Sequence, residues 1–187
     1  MKLESKAYHS GESEADNSMT PKWLVSQLEG LANVIITHDV CATELTAQAM
    51  NHWCKEDDAL SKDWFKQFSF GLMPREAFWM NPPFSKSKAF TAKASDAAKQ
   101  GVVTLGCVKH APDAAWFQEL ERNATAIFVP NSRVQFLKSD GTPFMREDKK
   151  SGKMVRSGAN FPVCFPLWTP FPNGGQAKFI RFNLDKK

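Results

Sequence analysis

No run of apolar residues in this 187-residue chain approaches the ~20 that cross a bilayer as a helix. Met1-Lys2-Leu3-Glu4-Ser5 also lacks the apolar core of a secretory signal. Neither membrane association nor export is therefore expected, and a cytoplasmic location is. Cysteine is sparse: Cys41, Cys54, Cys107 and Cys164 include no C-x-x-C pair, which argues against a disulfide scaffold and for reduced thiols. Internal repeats and low-complexity tracts are absent as well. What remains is an ordinary globular composition, 42% hydrophobic, 12% aromatic and 24% charged, which excludes a wholly disordered chain. At this length it predicts one compact domain with a full core. A formal net charge of +4 permits a polyanionic partner without requiring one.

Residues 1–18 are polar and charged, and are expected to form a flexible leader to a single domain over 19–187. Thr20-Pro21 has the form of a helix start, Thr as N-cap and Pro at the first helical position. Trp23, Leu24, Leu28 and Leu31 follow at helical spacing. The β-branched stretch 33–38 predicts a buried strand ending at Asp39. Residues 43–53 look helical and the acidic stretch 54–61 looks like a loop. A strand over 77–80, a helix over 85–100, a strand over 101–107, a helix over 113–122 and a strand over 124–129 continue the alternation. The late apolar runs 134–137, 163–168 and 179–182 predict strands without helices between them. The fold class expected is α/β, a mostly parallel sheet flanked by helices with an antiparallel edge. The interval from Asp39 to Asn81 is too short for two complete strand–helix units, so the sheet should be trimmed. Ligands of such sheets bind beyond the carboxyl ends of the strands, and both Asp39 and Asn81 fall there.

Asn81-Pro82-Pro83-Phe84, between a strand and a helix, suits one chemistry. The exocyclic amine of a nucleobase is a poor nucleophile because its lone pair is delocalised into the ring. Acceptors on both of its hydrogens, the Asn81 side-chain oxygen and the Pro82 carbonyl, localise that pair. Prolines lack a competing N–H and fix φ, so the carbonyl direction is pre-set. Phe84 offers a face on which an extruded base can stack, worth roughly 1–3 kcal/mol. A sulfonium donor carries its own reactivity, so no metal is expected. The same four residues are also ordinary turn punctuation, and their weight comes from the strand before and the helix after. Segment 145–158 adds Arg146, Lys149, Lys150, Lys153 and Arg156 against Glu147 and Asp148, a local excess of three positive charges. It reads as a solvated loop or as a mobile arm that tracks phosphates.

Thr20-Pro21-Lys22-Trp23, His38-Asp39-Val40-Cys41-Ala42-Thr43, Glu56-Asp57-Asp58-Ala59-Leu60 and the Asn81 motif stand in the order seen in small phage-type DNA N6-adenine methyltransferases. The chain resembles that phage Dam family over residues 20–168. The resemblance implies a Rossmann-like class I fold, S-adenosylmethionine as donor, and double-stranded DNA as partner with the adenine flipped out. A phage-borne enzyme of this kind would work in the host cytoplasm. By the same resemblance Asp39, Cys41 and Ala42 look like the donor loop, the acid facing the donor's α-amino group. Thr20 and Pro21 look like the segment closing over its methionine end, Asp57 or Asp58 like the acid meeting its ribose or adenine, and Asn81 like a contact to donor and base. DNA contacts are expected at Lys86 and Lys88 beside the clamp, at Arg133, and in a basic target-recognition insertion near 138–160. That insertion carries Arg146, Lys149, Lys150, Lys153 and Arg156.

The chain departs from the family in places. Cys41-Ala42-Thr43 stands where many methyltransferases have Gly-x-Gly, Phe84 replaces the commoner Tyr, and Ala59 sits where Gly is frequent. Blander roles compete: Thr20 as a helix cap, Asp57 and Asp58 as solvated loop, Arg133 as an ion-pair partner. Asn-Pro-Pro-aromatic also occurs in enzymes that methylate RNA bases or protein glutamine. From another class, a nucleic-acid-binding module without turnover would share the basic segment. His38-x2-Cys41 with His52-x-Cys54 forms a rival set of zinc ligands, at spacings unlike those of the common fingers. No feature assigns an oligomeric state.

Overall fold

The computed structural model describes residues 18–67, 75–171 and 174–185. The leader expected up to residue 18 lies, but for that residue, outside them. Helix α1 (Lys22–Ala32) is launched by Pro21, whose carbonyl accepts the N–H groups of Leu24 and Val25 at 3.0 and 3.2 Å. Pro21 is itself the N-cap, so Thr20 stands one residue ahead of its expected role and makes no cap hydrogen bond. Asn33 ends the helix in the left-handed conformation (φ 54°), returning its N–H to Glu29 and Gly30. The chain then enters β1 (Ile35–Asp39).

The remaining elements are β2 (Asn51–His52), α2 (Trp64–Gln67), β3 (Glu76–Met80), α3 (Ser87–Lys99), β4 (Thr104–Gly106), β5 (Val108–Lys109), α4 (Ala115–Asn123), β6 (Ala126–Pro130), β7 (Met145–Glu147), β8 (Met154–Arg156), β9 (Val163–Trp168) and β10 (Lys178–Phe182). The main sheet runs β10-β6-β9-β4-β3-β1-β2, with β5 also on β9. Its ladders are parallel except for those of β9, which is antiparallel to β4, β5 and β6. The fold is thus the mostly parallel, Rossmann-like α/β class, with its antiparallel pairing gathered on β9. The sheet is trimmed at its far edge, where the two-residue β2 ends it.

Alternation along the strands splits the core into two. Phe78 and Met80 of β3, Ile127 of β6 and Trp168 of β9 meet Phe90 and Ala94 of α3 and Phe117 and Leu120 of α4. On the opposite face Trp79, Leu105, Phe128 and Phe165 meet Leu24, Val25 and Leu28 of α1 together with Phe84, Val134 and Phe136. Each fully buried side chain of this size stabilises the fold by about 1.5–3 kcal/mol.

Two expected elements are replaced. Residues 43–53 form a turn at Thr43–Thr46 and the short β2, not a helix. The cause is Asp39, whose carboxylate takes the N–H groups of Cys41 and Gln48 (3.1 Å each) while its carbonyl takes that of Trp53 (2.8 Å). Those donors are withdrawn from any helix. Residues 134–137 are not a ladder strand: Leu137 bridges Met19 and Pro143, and the Val134 carbonyl accepts from Ala159. Local partners outcompete the sheet there. The basic segment 145–158, expected as a loop or arm, is the hairpin β7–β8, a two-stranded sheet of its own.

Candidate active site

β1 and β3 are parallel neighbours, with Asp39 opposite Trp79, so the loops leaving their carboxyl ends share one rim. Asp39 is 2% exposed. Burial pushes its carboxyl up to about 6, against the N–H groups of Cys41 and Gln48 and the nearby His52, which pull it down. Two of its roughly four acceptor positions are used by the backbone. Ala42 is buried, its N–H on the Trp53 carbonyl at 3.0 Å. Burial, and then Asp39, holds the Cys41 thiol well above its ordinary range, with the Lys86 ammonium opposing. Lys86 therefore stands near Cys41. Gln48 completes the knot: its backbone N–H meets Asp39 and its side-chain amide nitrogen, Nε2, donates to the Thr20 carbonyl at 2.9 Å. Thr20 and Asp39, far apart in sequence, are thus joined through one glutamine that no sequence pattern singles out.

Asn81 follows β3 directly. Its Nδ2 donates to the Ser18 carbonyl at 3.2 Å, which sets the amide orientation, and Oδ1 accepts nothing from the described residues. The Pro83 carbonyl is taken by the Lys86 N–H at 2.8 Å, whereas no described N–H reaches the Pro82 carbonyl. Pro82 and Pro83 are buried. Phe84 is 8% exposed and meets Phe161 edge-on (4.6 Å, 82°) and Phe136 (6.2 Å, 72°). A cavity of about 340 Å³ opens against these rings, lined also by Ser18, Met145 and Asn160.

A family model described as DNA N-6-adenine-methyltransferase (Dam) matches residues 8–159, most of the chain. The chain belongs to the Dam family. Within the family, the DNA N-6-adenine-methyltransferase of Haemophilus phage HP1 (strain HP1c1) is 27% identical over 130 residues, covering 68% of this chain and 70% of that protein. No solved structure matches the chain. The protein is accordingly an adenine-specific DNA methyltransferase, an enzyme that needs a methyl donor. No helix among the described residues is long and apolar enough to cross a membrane.

The other residues expected in a Dam family site fall in three places. Asp57 folds back on its own turn, accepting the Cys54 N–H at 2.8 Å and pairing with Lys62 at 3.8 Å. Asp58 adopts a left-handed conformation (φ 49°), its carbonyl held by Ser61. The Asp57 carboxylate and the Asp58 backbone thus have structural roles that the acidic run alone did not disclose. Arg146, Lys149, Lys150, Lys153 and Arg156 are all exposed on the hairpin. Asp148 organises its tip, accepting Ser151 Oγ–H at 2.6 Å. Arg133 lies against Gly158. Lys88, by contrast, lines the groove between α3 and α4 with Asp96 and Glu119, on the other face of the sheet.

The rival zinc set comes only half together. His52 and Cys54 cluster with Glu44, their ligand atoms within 4.8 Å of one another. His38 instead stacks on Phe78 at 4.7 Å and meets Thr37 and Glu76. All four cysteines are free.

Proposed function

We propose that the donor is S-adenosylmethionine, bound beyond the carboxyl ends of β1 and β3, and that the target adenine leaves the duplex to reach Asn81. The single observation that carries this is the Asn81 amide: its nitrogen is tethered to Ser18, and among the described residues nothing donates to its oxygen or to the carbonyl of the adjacent Pro82. Two acceptors at that point fit the two hydrogens of an exocyclic amine. The sulfonium supplies an activated methyl group, so the protein's task is orientation. Hydrogen bonds from the amine to Asn81 Oδ1 and the Pro82 carbonyl tighten as positive charge develops on nitrogen.

The donor set suits an amino-acid-bearing cofactor. Asp39 keeps acceptor positions for an ammonium, Cys41 and Ala42 are small enough for close backbone approach, and Thr20 and Pro21 lie across the knot made by Gln48. Asp57 or Asp58, on the turn that follows β2, is the acid assigned to the donor's ribose or purine. The cavity at Phe84 is of the size that small-molecule sites occupy, and its aromatic wall suits a planar base. Residues 138–160 serve as a target-recognition insertion, with Arg133 and the hairpin cations on the DNA backbone. Extruding the base costs a few kcal/mol of unstacking, offset by stacking in the cavity.

Base-resolution modification sequencing of plasmid DNA from cells producing the full chain tests the whole scheme. Methyl groups on adenine N6 in one short sequence context are expected. Modification confined to another base, or to RNA, would overturn it.

A further inference from the structure

Lys109, at the end of β5, is a cation that the proposed chemistry leaves unused. Its backbone pairs with Val163 of β9, which carries the side chain to the aromatic wall of the cavity. Its Nζ stands 4.4 Å from the centroid of the Phe161 ring and 5.7 Å from that of Phe84. Both distances fall inside cation–π range. Both rings line the cavity. None of the ion pairs among the described residues involves Lys109. An ammonium rests on two rings that wall a base-sized cavity, and no carboxylate among the described residues neutralises it.

Rings hold such a charge in place without satisfying it. Lysine's compact, strongly hydrated head group keeps donors available for an anion that arrives later. A nucleotide joins base and phosphate through a single sugar, so a base entering the cavity brings its own phosphate to the rim. We infer that Lys109 is a positioning residue for the target nucleotide, engaging the phosphate of the extruded residue while its base occupies the cavity beside Phe84. This rests on the base-extrusion proposal above. It differs from the hairpin contacts in kind: those grip the duplex, whereas Lys109 grips the nucleotide that has left it.

The test compares full-length wild type with Lys109→Met and Lys109→Arg. Methyl transfer to unmethylated plasmid DNA is followed across a salt series. Lys109→Met should raise the KM for DNA about tenfold and flatten the log–log salt dependence of kcat/KM by about 0.9, the value of one phosphate contact. Lys109→Arg should restore the slope, and calorimetric binding of S-adenosylmethionine should be unchanged in both variants. A wild-type slope and KM in a folded Lys109→Met enzyme would overturn the inference. So would an Arg variant that fails as Met does, since packing of the stem would then be what matters. If wild type transfers no methyl to DNA, the extrusion proposal fails. The inference about Lys109 then falls with it, and direct binding of a fluorescent duplex should show the same salt slope for wild type and Lys109→Met.

Discussion

The two faces of the sheet are built on different terms. One is covered by α3, through Ala94, Ala97 and Ala98, and by α4, through Phe117 and Leu120, packed over Phe78, Met80 and Trp168. The other is covered by α1 and then by irregular backbone, the segments around Val134, Phe136 and Phe161, and there the clamp's Phe84 and the cavity are found. Regular helices seal a surface. Loops leave room, and their unpaired backbone and side chains can be aimed at a ligand. Every group proposed to touch the base lies on the loop-covered side or at the rim, while Lys88, on the helical side, sits among Asp96 and Glu119.

The largest effect should come from the rim itself. Asn81→Ala is expected to lower kcat about 10²–10³-fold, the scale of losing one preorganised partner to developing charge. Donor affinity measured by calorimetry should stay within about twofold. Near-normal turnover would detach chemistry from the rim and remove the distinction between the faces. Gly106→Ala probes the sealed side. A Cβ there would lie 2.8 Å from Met80 Cε and 3.1 Å from the Trp168 ring. Overpacking of that kind costs about 1–3 kcal/mol, so the denaturant midpoint should fall while the KM for DNA holds. A rise in KM without loss of stability would mean that the helical face takes part in DNA binding.

The next effect is a dependence on pH. Burial raises the Asp39 carboxyl from 3.8 to about 6, so the fold favours its protonated form. The native state binds that proton more tightly than the unfolded chain, and stability is lost as pH rises from about 4 through about 6. A donor ammonium asks for the ionised form. Its affinity should therefore fall, by up to tenfold per pH unit, below about pH 6. Asp39→Asn should flatten that profile, and a flat wild-type profile would separate Asp39 from the donor. The smallest effect belongs to the hairpin. Lys149 and Lys150 changed together to Ala should weaken duplex binding similarly for all sequences and lower the salt slope by about 1.8. An unchanged slope would make the hairpin a solvated appendage.

Much of this was legible in the residues. A β-branched run followed by an acid, and an apolar run followed by Asn-Pro-Pro, place Asp39 and Asn81 at strand ends because period and punctuation are local properties. The excess of basic residues marks the hairpin for the same reason. What was hidden depends on contacts between distant segments. Gln48 matters only because Asp39 and Thr20 converge on it. The loop at 43–53 has helical composition, yet its Gln48 N–H is claimed by the Asp39 carboxylate and its Trp53 N–H by the Asp39 carbonyl. Phe136, Phe161 and Lys109 gather at Phe84 only once β5 lies on β9. Nothing in the spacing of Val134 to Leu137 told that its partners would be Met19 and Ala159 rather than a ladder.

The position of β9 has a consequence for the order of assembly. Among the described residues it is the only strand joining β10 and β6 to β4 and the strands beyond, yet it is made from residues 163–168, after nearly everything it connects. A nascent chain released short of Val163 holds the ladder β4-β3-β1-β2 and a β6 that has neither of its partners, and loop closure over that distance makes the joining step slow. Phe161, two residues ahead of β9, reaches Phe84 through the same event. The wall of the cavity at Phe84 and the closure of the sheet therefore arise together, and an incompletely synthesised chain has neither a finished core nor the cavity proposed to hold a purine.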